Sequence, residues 1–130
     1  VTVHLFESAI DLLSYATLRK MDGYDWRAEH LLSLAGVYQP AKEMERSKVP
    51  AALTRFLKEY PEVGEVELHL DNDRAGRLAA EAIKTVLPKQ YRTRDKPPPK
   101  GKDCNDFLCI RLGIGITERA KKKNERSHER

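Results

Sequence analysis

The sequence has few cysteines and no long apolar segment, and both shortages exclude whole classes of protein. Its two cysteines, Cys104 and Cys109, are too few for a disulfide framework and have no further Cys or His at zinc-finger spacing. We interpret them as free thiols in a reducing cytoplasm. No apolar run approaches the length of a membrane span, so we expect no membrane partner. The chain also lacks an initiator Met and a secretory signal, so we expect it to be a piece of a longer protein.

Positive charge is concentrated in two places. The formal net charge is +4, and residues 117–130 contribute six Lys or Arg against three Glu. We predict that this segment is a basic polar tail or a solvated helix, and we assign it no chemistry. Residues 89–102, here called the basic strip, hold six Lys or Arg against one Asp. Such a run is usually a solvated face, but beside an acidic metal site it would offer phosphates a counter-charge.

The most informative segment covers residues 66–76, where a strand pattern passes directly into a helix pattern. Apolar and polar residues alternate over 66–70, and an apolar stripe at helical spacing covers 75–87. Asp71 and Asp73 therefore follow the carboxyl end of a strand, which is where ligands bind in open α/β sheets. Two carboxylates on one tight turn suit a hard cation such as magnesium. The alternative role for Asp73 is to cap the helix.

The N-terminus has the same arrangement. Residues 1–6 predict a strand, and Ser8 and Asp11 have the spacing of a capping box that opens a helix. The predicted buried stripe of that helix consists of Ala9, Leu12, Leu13 and Ala16. Glu7 thus lies at the end of a strand and just before a helix, as Asp71 does. Neighbouring parallel strands would bring these carboxylates together.

The rest of the chain continues the alternation of strands and helices. We predict a short buried strand over 31–36, a helix over 49–60, a weak strand over 91–93 and a short helix that starts after Asp103 and continues to Gly113. Asp103 has the position of the cap of that last helix, a role that does not exclude a functional one. The order of the elements predicts a parallel sheet with right-handed crossovers.

Four segments, taken in order, resemble the successive motifs of a Toprim domain, the family named after topoisomerases and primases. They are Phe6-Glu7-Ser8-Ala9-Ile10-Asp11-Leu12-Leu13-Ser14, Leu31 to Gly36, Leu70-Asp71-Asn72-Asp73-Arg74-Ala75-Gly76-Arg77 and Gly101-Lys102-Asp103-Cys104-Asn105-Asp106-Phe107-Leu108. A single Asp-x-Asp is common, whereas the ordered set with Gly-Lys-Asp-x-Asn-Asp is specific. The resemblance extends from Val1 to about Leu112.

The resemblance implies a compact Rossmann-like α/β fold of about four parallel strands flanked by helices, which we place over residues 1–116. It also implies a magnesium-dependent phosphotransfer centre, in which manganese could replace magnesium. Its implied metal ligands are Glu7, Asp71, Asp73 and Asp103. Topoisomerases of the family tend to have a third aspartate at the position of Ala75, so the sequence favours the primase-like branch. The last motif, Gly-Lys-Asp-x-Asn-Asp, is most similar to that of the Toprim-like domains of phage and plasmid primase-helicases and mobile-element proteins.

The residue types suit this chemistry. Phosphoryl and nucleotidyl transfer need a cation that holds phosphate oxygens and screens their charge. Crowding by two carboxylates should raise the proton affinity of Glu7, which makes it the candidate catalytic acid or base. Lys100, Lys102 and Arg74 are candidates for binding nucleotide or template phosphates, although each could instead be an ordinary surface cation.

Three functions remain open at this point. The first is a DNA primase-like, metal-dependent nucleotidyltransferase that works in DNA replication as part of a larger cytoplasmic protein, with DNA or RNA, nucleotides and other domains as partners. The second is a nuclease that hydrolyses a phosphodiester bond at the same site. The third is a module that binds DNA or a partner protein without catalysis, since fold does not determine function.

Overall fold

The computed structural model describes residues 1–35 and 38–114. The predicted tail over 117–130 and the turn at Gly36 lie outside the described residues. The strands are β1 (Thr2–Phe6), β2 (His30–Ser33), β3 (Glu65–Leu68) and β4 (Arg92–Asp95). The helices are α1 (Ala9–Met21), α2 (Ala51–Glu59), α3 (Arg74–Val86) and α4 (Cys104–Arg111). Short 3₁₀ helices cover Trp26–Ala28 and Met44–Arg46.

The four strands form one parallel sheet in the order β2-β1-β3-β4. Val3 is level with Val66 and Leu5 with Leu68, so β1 and β3 pair in the middle of the sheet. The chain leaves β1 for β2 on one side and returns to β3 on the other. The boundary between β1 and β3 is therefore the topological switch point, where open α/β sheets bind ligands. The predicted α/β fold of four parallel strands flanked by helices is confirmed.

One face of the sheet carries the apolar core. The strands contribute Val3, Leu5, Val66 and Leu68, all without exposed surface, and α2 and α3 cover them with Leu53 and Ile83. Burying an aliphatic side chain of this size stabilises the fold by about 1.5–3 kcal/mol. The alternation predicted over 66–70 is what directs these residues to a common face.

The opposite face of the sheet is largely polar and lies beneath α1 and α4. Tyr15 of α1 makes ring contacts with Phe6 and His69. The Ser14 hydroxyl donates a hydrogen bond of 3.2 Å to Asn105 of α4, which joins the two helices. His4 and Glu67 are buried on this face.

Of the predicted buried stripe of α1, only Ala16 is buried. Ala9 and Leu13 are exposed, while Leu12 is half-buried. The buried residues of the helix are Asp11, Ser14, Ala16 and Leu18. The physical reason is that α1 covers the polar face of the sheet and contacts α4 through Ser14, so polar side chains occupy its inner side.

Two smaller differences concern the strands at the sheet edges. β2 was expected to be buried, but every residue from His30 to Ser33 is only half-buried because the strand has a neighbour on one side only. β4 is longer than the weak signal over 91–93 predicts.

Both cysteines belong to α4. Cys104 and Cys109 are free thiols, and burial raises the pKa of the Cys104 thiol to about 12. Within the described residues, no helix combines the length and the apolar character that crossing a membrane requires.

Candidate metal centre

Adjacent strands place Glu7 and Asp71 side by side. β1 ends at Phe6 and is followed by Glu7, while the backbone of β3 stays beside β1 up to His69, whose N–H donates to the carbonyl of Leu5 at 2.9 Å. Glu7 and Asp71 make a side-chain hydrogen bond. The carboxyl edge of the sheet at the switch point thus holds two carboxyl groups in direct contact.

This crowding changes the acidity of Asp71. Burial raises the pKa of Asp71 to about 7, and the hydrogen bond to Glu7 and the charges of Glu7, Asp11 and Asp103 act in the same direction. Each of these causes penalises a second negative charge at this place. The sequence predicts a raised proton affinity in this group of carboxylates, and the raised pKa is that of Asp71, the neighbour of Glu7.

Asp11 and Asp103 complete the group of carboxylates. One oxygen each of Asp11, Asp71 and Asp103 lies within 4.8 Å of the others. Asp11 is buried in the first turn of α1 and accepts hydrogen bonds from the Ser8 hydroxyl at 2.9 Å and from the backbone N–H of Asn105 at 3.2 Å.

The sequence assigned Asp11 only to the capping box, so its place in the carboxylate group was missed. The sequence did contain one signal for this placement, which is the position of Asp11 in the helix that follows Glu7. A helix that starts just after Glu7 keeps its first turn at the same sheet edge, and an acidic residue in that turn lies beside whatever Glu7 faces.

The loop before α4 positions Asp103 at the start of that helix. Asp103 caps α4 by accepting a hydrogen bond of 2.7 Å from the backbone N–H of Asp106. The carboxylate of Asp106 in turn accepts from the backbone N–H of Lys102 at 3.0 Å. Gly101 has φ +84, and a Cβ there would lie 2.6 Å from the Cβ of Asp106, so only glycine fits. Asp103 therefore both caps α4 and lies close to Asp71.

Asp73 caps α3, as the alternative interpretation of the sequence predicts. Its carboxylate Oδ1 accepts from the backbone N–H of Gly76 at 2.7 Å, and its Oδ2 lies 3.6 Å from the Lys102 ammonium nitrogen. The cap therefore uses one carboxylate oxygen of Asp73, and the other faces Lys102.

Gly76 explains how closely α3 approaches the Asp71 turn. A Cβ at Gly76 would overlap the carbonyl oxygen of Asp71 and would lie 2.8 Å from its carbonyl carbon. The backbone N–H of Asn72 also donates to the carbonyl of Lys102, which ties this turn to the loop that carries Asp103. The glycine of the Asp-Asn-Asp-Arg-Ala-Gly segment is thus required by close packing.

The basic strip is partly neutralised by β3. Arg94 pairs with Glu65 and the Lys96 ammonium with Glu67, each at 2.8 Å. Lys102 approaches Asp73, and Lys100 and Arg74 are exposed near the same edge. Lys100 and Lys102 are thus the exposed cations of the strip that lie closest in sequence to Asp103.

The comparison with protein families identifies the chain. The sequence model of the family described as Toprim-like matches residues 4–108. This chain belongs to the Toprim-like family. The match covers each of the motifs on which the resemblance was based, from Glu7 to Asp103 and the segment that follows it.

A solved structure with the same Toprim-like fold is the primase fragment of the bacteriophage T7 primase-helicase protein. It aligns with a TM-score of 0.53 at 24% sequence identity. The alignment covers 87% of this chain and 39% of that fragment, so the chain spans well under half of its length. A similarity at this level of identity shows the fold alone. A search of curated proteins finds no match.

The Toprim-like carboxylates fit a divalent cation of the magnesium class. Oxygen ligands from several carboxylates are the set that such a hard cation prefers. Burial, and after it the hydrogen bond to Glu7 and the negative charge of the neighbouring carboxylates, raise the pKa of Asp71, so its ionised form would gain from positive charge nearby. A bound dication would supply that charge and would favour the deprotonated form of Asp71.

Proposed function

We propose that this chain is the magnesium-dependent catalytic domain of a larger, primase-like protein that transfers nucleotidyl or phosphoryl groups on nucleic acid. The observation that supports it most is the contact of Glu7 with Asp71 at the switch point, with Asp11 and Asp103 beside them. Membership of the Toprim-like family and the fold shared with a phage primase fragment favour the primase-like branch. We expect the protein to act in DNA replication in the cytoplasm, in a phage, plasmid or other mobile element.

Five residues would hold the cation in this proposal. Asp71 and Glu7 would be ligands from the strand ends, Asp103 from the α4 cap and Asp11 from the first turn of α1. Asp73 would be a ligand through Oδ2, because its cap uses only Oδ1. When bound, magnesium or manganese holds phosphate oxygens and screens the charge that develops during transfer.

The chain's own residues would position the substrate and move the proton. Glu7 would act as the catalytic acid or base, because its carboxyl already exchanges a hydrogen bond with Asp71. Lys100, Lys102 and Arg74 would bind the phosphates of nucleotides and of a DNA or RNA template. Their exposure at the edge that carries the carboxylates supports this role.

The test combines metal binding with turnover. The 130-residue chain would be titrated with magnesium and manganese by calorimetry and incubated with labelled single-stranded DNA and nucleotides. Extension of the strand or of a new primer supports the proposal, provided that Asp71→Asn and Glu7→Gln abolish it. Glu81→Gln is the matched control, because Glu81 is an exposed carboxylate on α3.

Other outcomes decide against the proposal. Cleavage of the DNA that depends on Asp71 would assign the site to a nuclease. Retention of DNA without turnover, with no metal affinity lost in Asp71→Asn, would make the chain a binding module.

A further inference from the structure

A second cluster of metal-ligand side chains lies within the sheet, apart from the carboxylates that follow the strand ends. It consists of His4 on β1, Glu67 on β3 and His69 just beyond β3, all buried on the polar face beneath α1. We propose that these residues form a site for one divalent transition-metal ion of the zinc class. This inference does not depend on the proposed function.

The three ligand atoms already form a compact triangle. His4 Nδ1 lies 2.7 Å from Glu67 Oε2 and 2.9 Å from His69 Nε2. The third side, from His69 Nε2 to Glu67 Oε2, is 3.3 Å. Tetrahedral zinc with bonds of about 2.0–2.1 Å separates its ligand atoms by roughly 3.3 Å. The triangle needs to widen by only a few tenths of an ångström to hold the ion.

The outer nitrogens of both imidazoles have hydrogen-bond acceptors, as those of metal-bound histidines usually do. His4 Nε2 lies 3.2 Å from Glu29 Oε2, and Glu29 is held in turn by Arg19 at 2.7 Å. The backbone carbonyl of Lys96 accepts a hydrogen bond from His69, for which Nδ1 is the nitrogen outside the triangle. Both rings thus have a partner for an outer N–H, and in the tautomer that uses it the inner nitrogen of each ring can coordinate a metal ion beside Glu67.

In the tautomer with both outer nitrogens protonated, three lone pairs are directed at one point. With the outer nitrogens protonated, His4 Nδ1, His69 Nε2 and Glu67 Oε2 are all acceptors, and acceptors at these distances need positive charge between them. The Lys96 ammonium engages the other oxygen of Glu67 at 2.8 Å, outside the triangle. A metal ion would satisfy all three acceptors at once, whereas extra protons would make one or both imidazoles cationic.

The ligand types select the class of ion. Two imidazoles and one carboxylate suit zinc and its transition-metal neighbours, whereas magnesium prefers oxygen ligands alone. The Tyr15 hydroxyl lies 3.3 Å from His4 Nδ1, close enough to approach a fourth position. A cleft of about 380 Å³ lined by Tyr15, His69 and Lys96 offers a route of entry.

The experiment uses cobalt as a spectroscopic probe and zinc as its competitor. The 130-residue chain, stripped with a chelator, is titrated with Co²⁺, followed by visible absorption, and then with Zn²⁺, followed by calorimetry. With magnesium in excess to occupy the carboxylate group, we expect one cobalt ion per chain, a cobalt spectrum with nitrogen and oxygen ligands in a low coordination number, and displacement of cobalt by zinc.

Single substitutions test which residues bind the metal ion. His4→Gln and His69→Gln should each abolish the cobalt spectrum, and Glu29→Gln should weaken binding by about 10–100-fold, as loss of an outer hydrogen bond does. The remaining histidines provide matched controls, so His30→Gln and His128→Gln should bind as the wild type does. Asp71→Asn should retain this site, because it changes only the carboxylate group.

Some results would overturn the proposal. They are the absence of a stoichiometric cobalt complex in the wild type, binding that survives His69→Gln, and binding that is lost in Asp71→Asn alone. Circular dichroism of each variant reports whether it folds. If a histidine variant does not fold, X-ray absorption of the zinc-loaded wild type decides, because two imidazole ligands are required and an oxygen-only shell excludes the site.

Discussion

Asp71→Asn should remove most of the pH dependence that the carboxylate group gives to the stability of the metal-free protein. Asparagine has nearly the shape of protonated aspartate and can still donate a hydrogen bond to Glu7. It cannot ionise, so it never adds a negative charge beside Glu7, Asp11 and Asp103. The substitution therefore isolates the effect of one ionisation.

The magnitude follows from the pKa of Asp71, which burial and its acidic neighbours raise from the ordinary 3.8 to about 7. This rise in pKa corresponds to at most about 4 kcal/mol at ~1.4 kcal/mol per pKa unit, and the contribution is smaller because Asp71 is partly exposed and solvent screens its charge. The folded state binds the proton more tightly than the unfolded state does. Stability from this group is therefore fully present below about pH 4 and is lost as the pH rises through about 7. The variant keeps it at every pH.

Urea denaturation in the presence of a chelator, repeated from acidic to mildly alkaline pH, measures this difference. We expect the two proteins to be similar near pH 4 and the variant to be more stable near pH 8, by up to about 4 kcal/mol. Saturating magnesium should restore the wild type at pH 8, by about 2.7 kcal/mol at a hundred times the dissociation constant, and should affect the variant much less.

Glu81→Gln serves as the control and should follow the wild-type curve, because Glu81 is exposed on α3. Parallel curves for wild type and Asp71→Asn across the whole pH range would refute the reasoning. So would a variant that is less stable at pH 8, because Asp71 would then be a structural group whose charge is compensated.

Three further predictions concern other parts of the molecule. Gly76→Ala should weaken magnesium binding measured by calorimetry and destabilise the fold, because a Cβ there displaces the Asp71 carbonyl; unchanged affinity would mean that the turn moves freely. Changing Lys100 and Lys102 together to Ala should flatten the salt dependence of single-stranded DNA binding by about 0.7 per lost phosphate contact. Deleting residues 117–130 is its control, and an effect confined to that deletion would assign binding to the tail. Leu53→Ala should cost about 2–5 kcal/mol in urea denaturation, since Leu53 has no exposed surface, while leaving magnesium affinity intact.

Local patterns determined the fold. The alternation over 66–70 and the helical stripe that follows it fix which face of β3 enters the core, because the side-chain directions of strands and helices follow from backbone geometry. Capping positions at Ser8, Asp73 and Asp103 were also readable, since a cap bonds to amides only two or three residues away. The order of the elements then predicted the parallel sheet and the edge at which Glu7 and Asp71 lie.

Only the tertiary structure decided which polar residues meet. The sequence shows Asp11 only as a capping residue, and its contact with α4 exists only because α1 packs against that helix. The inner side of α1 includes polar residues because it covers a polar face of the sheet. His4 and His69 are 65 positions apart and come together only through the pairing of β1 with β3. Contacts between distant residues depend on how elements are docked, and no local period in the sequence encodes that docking.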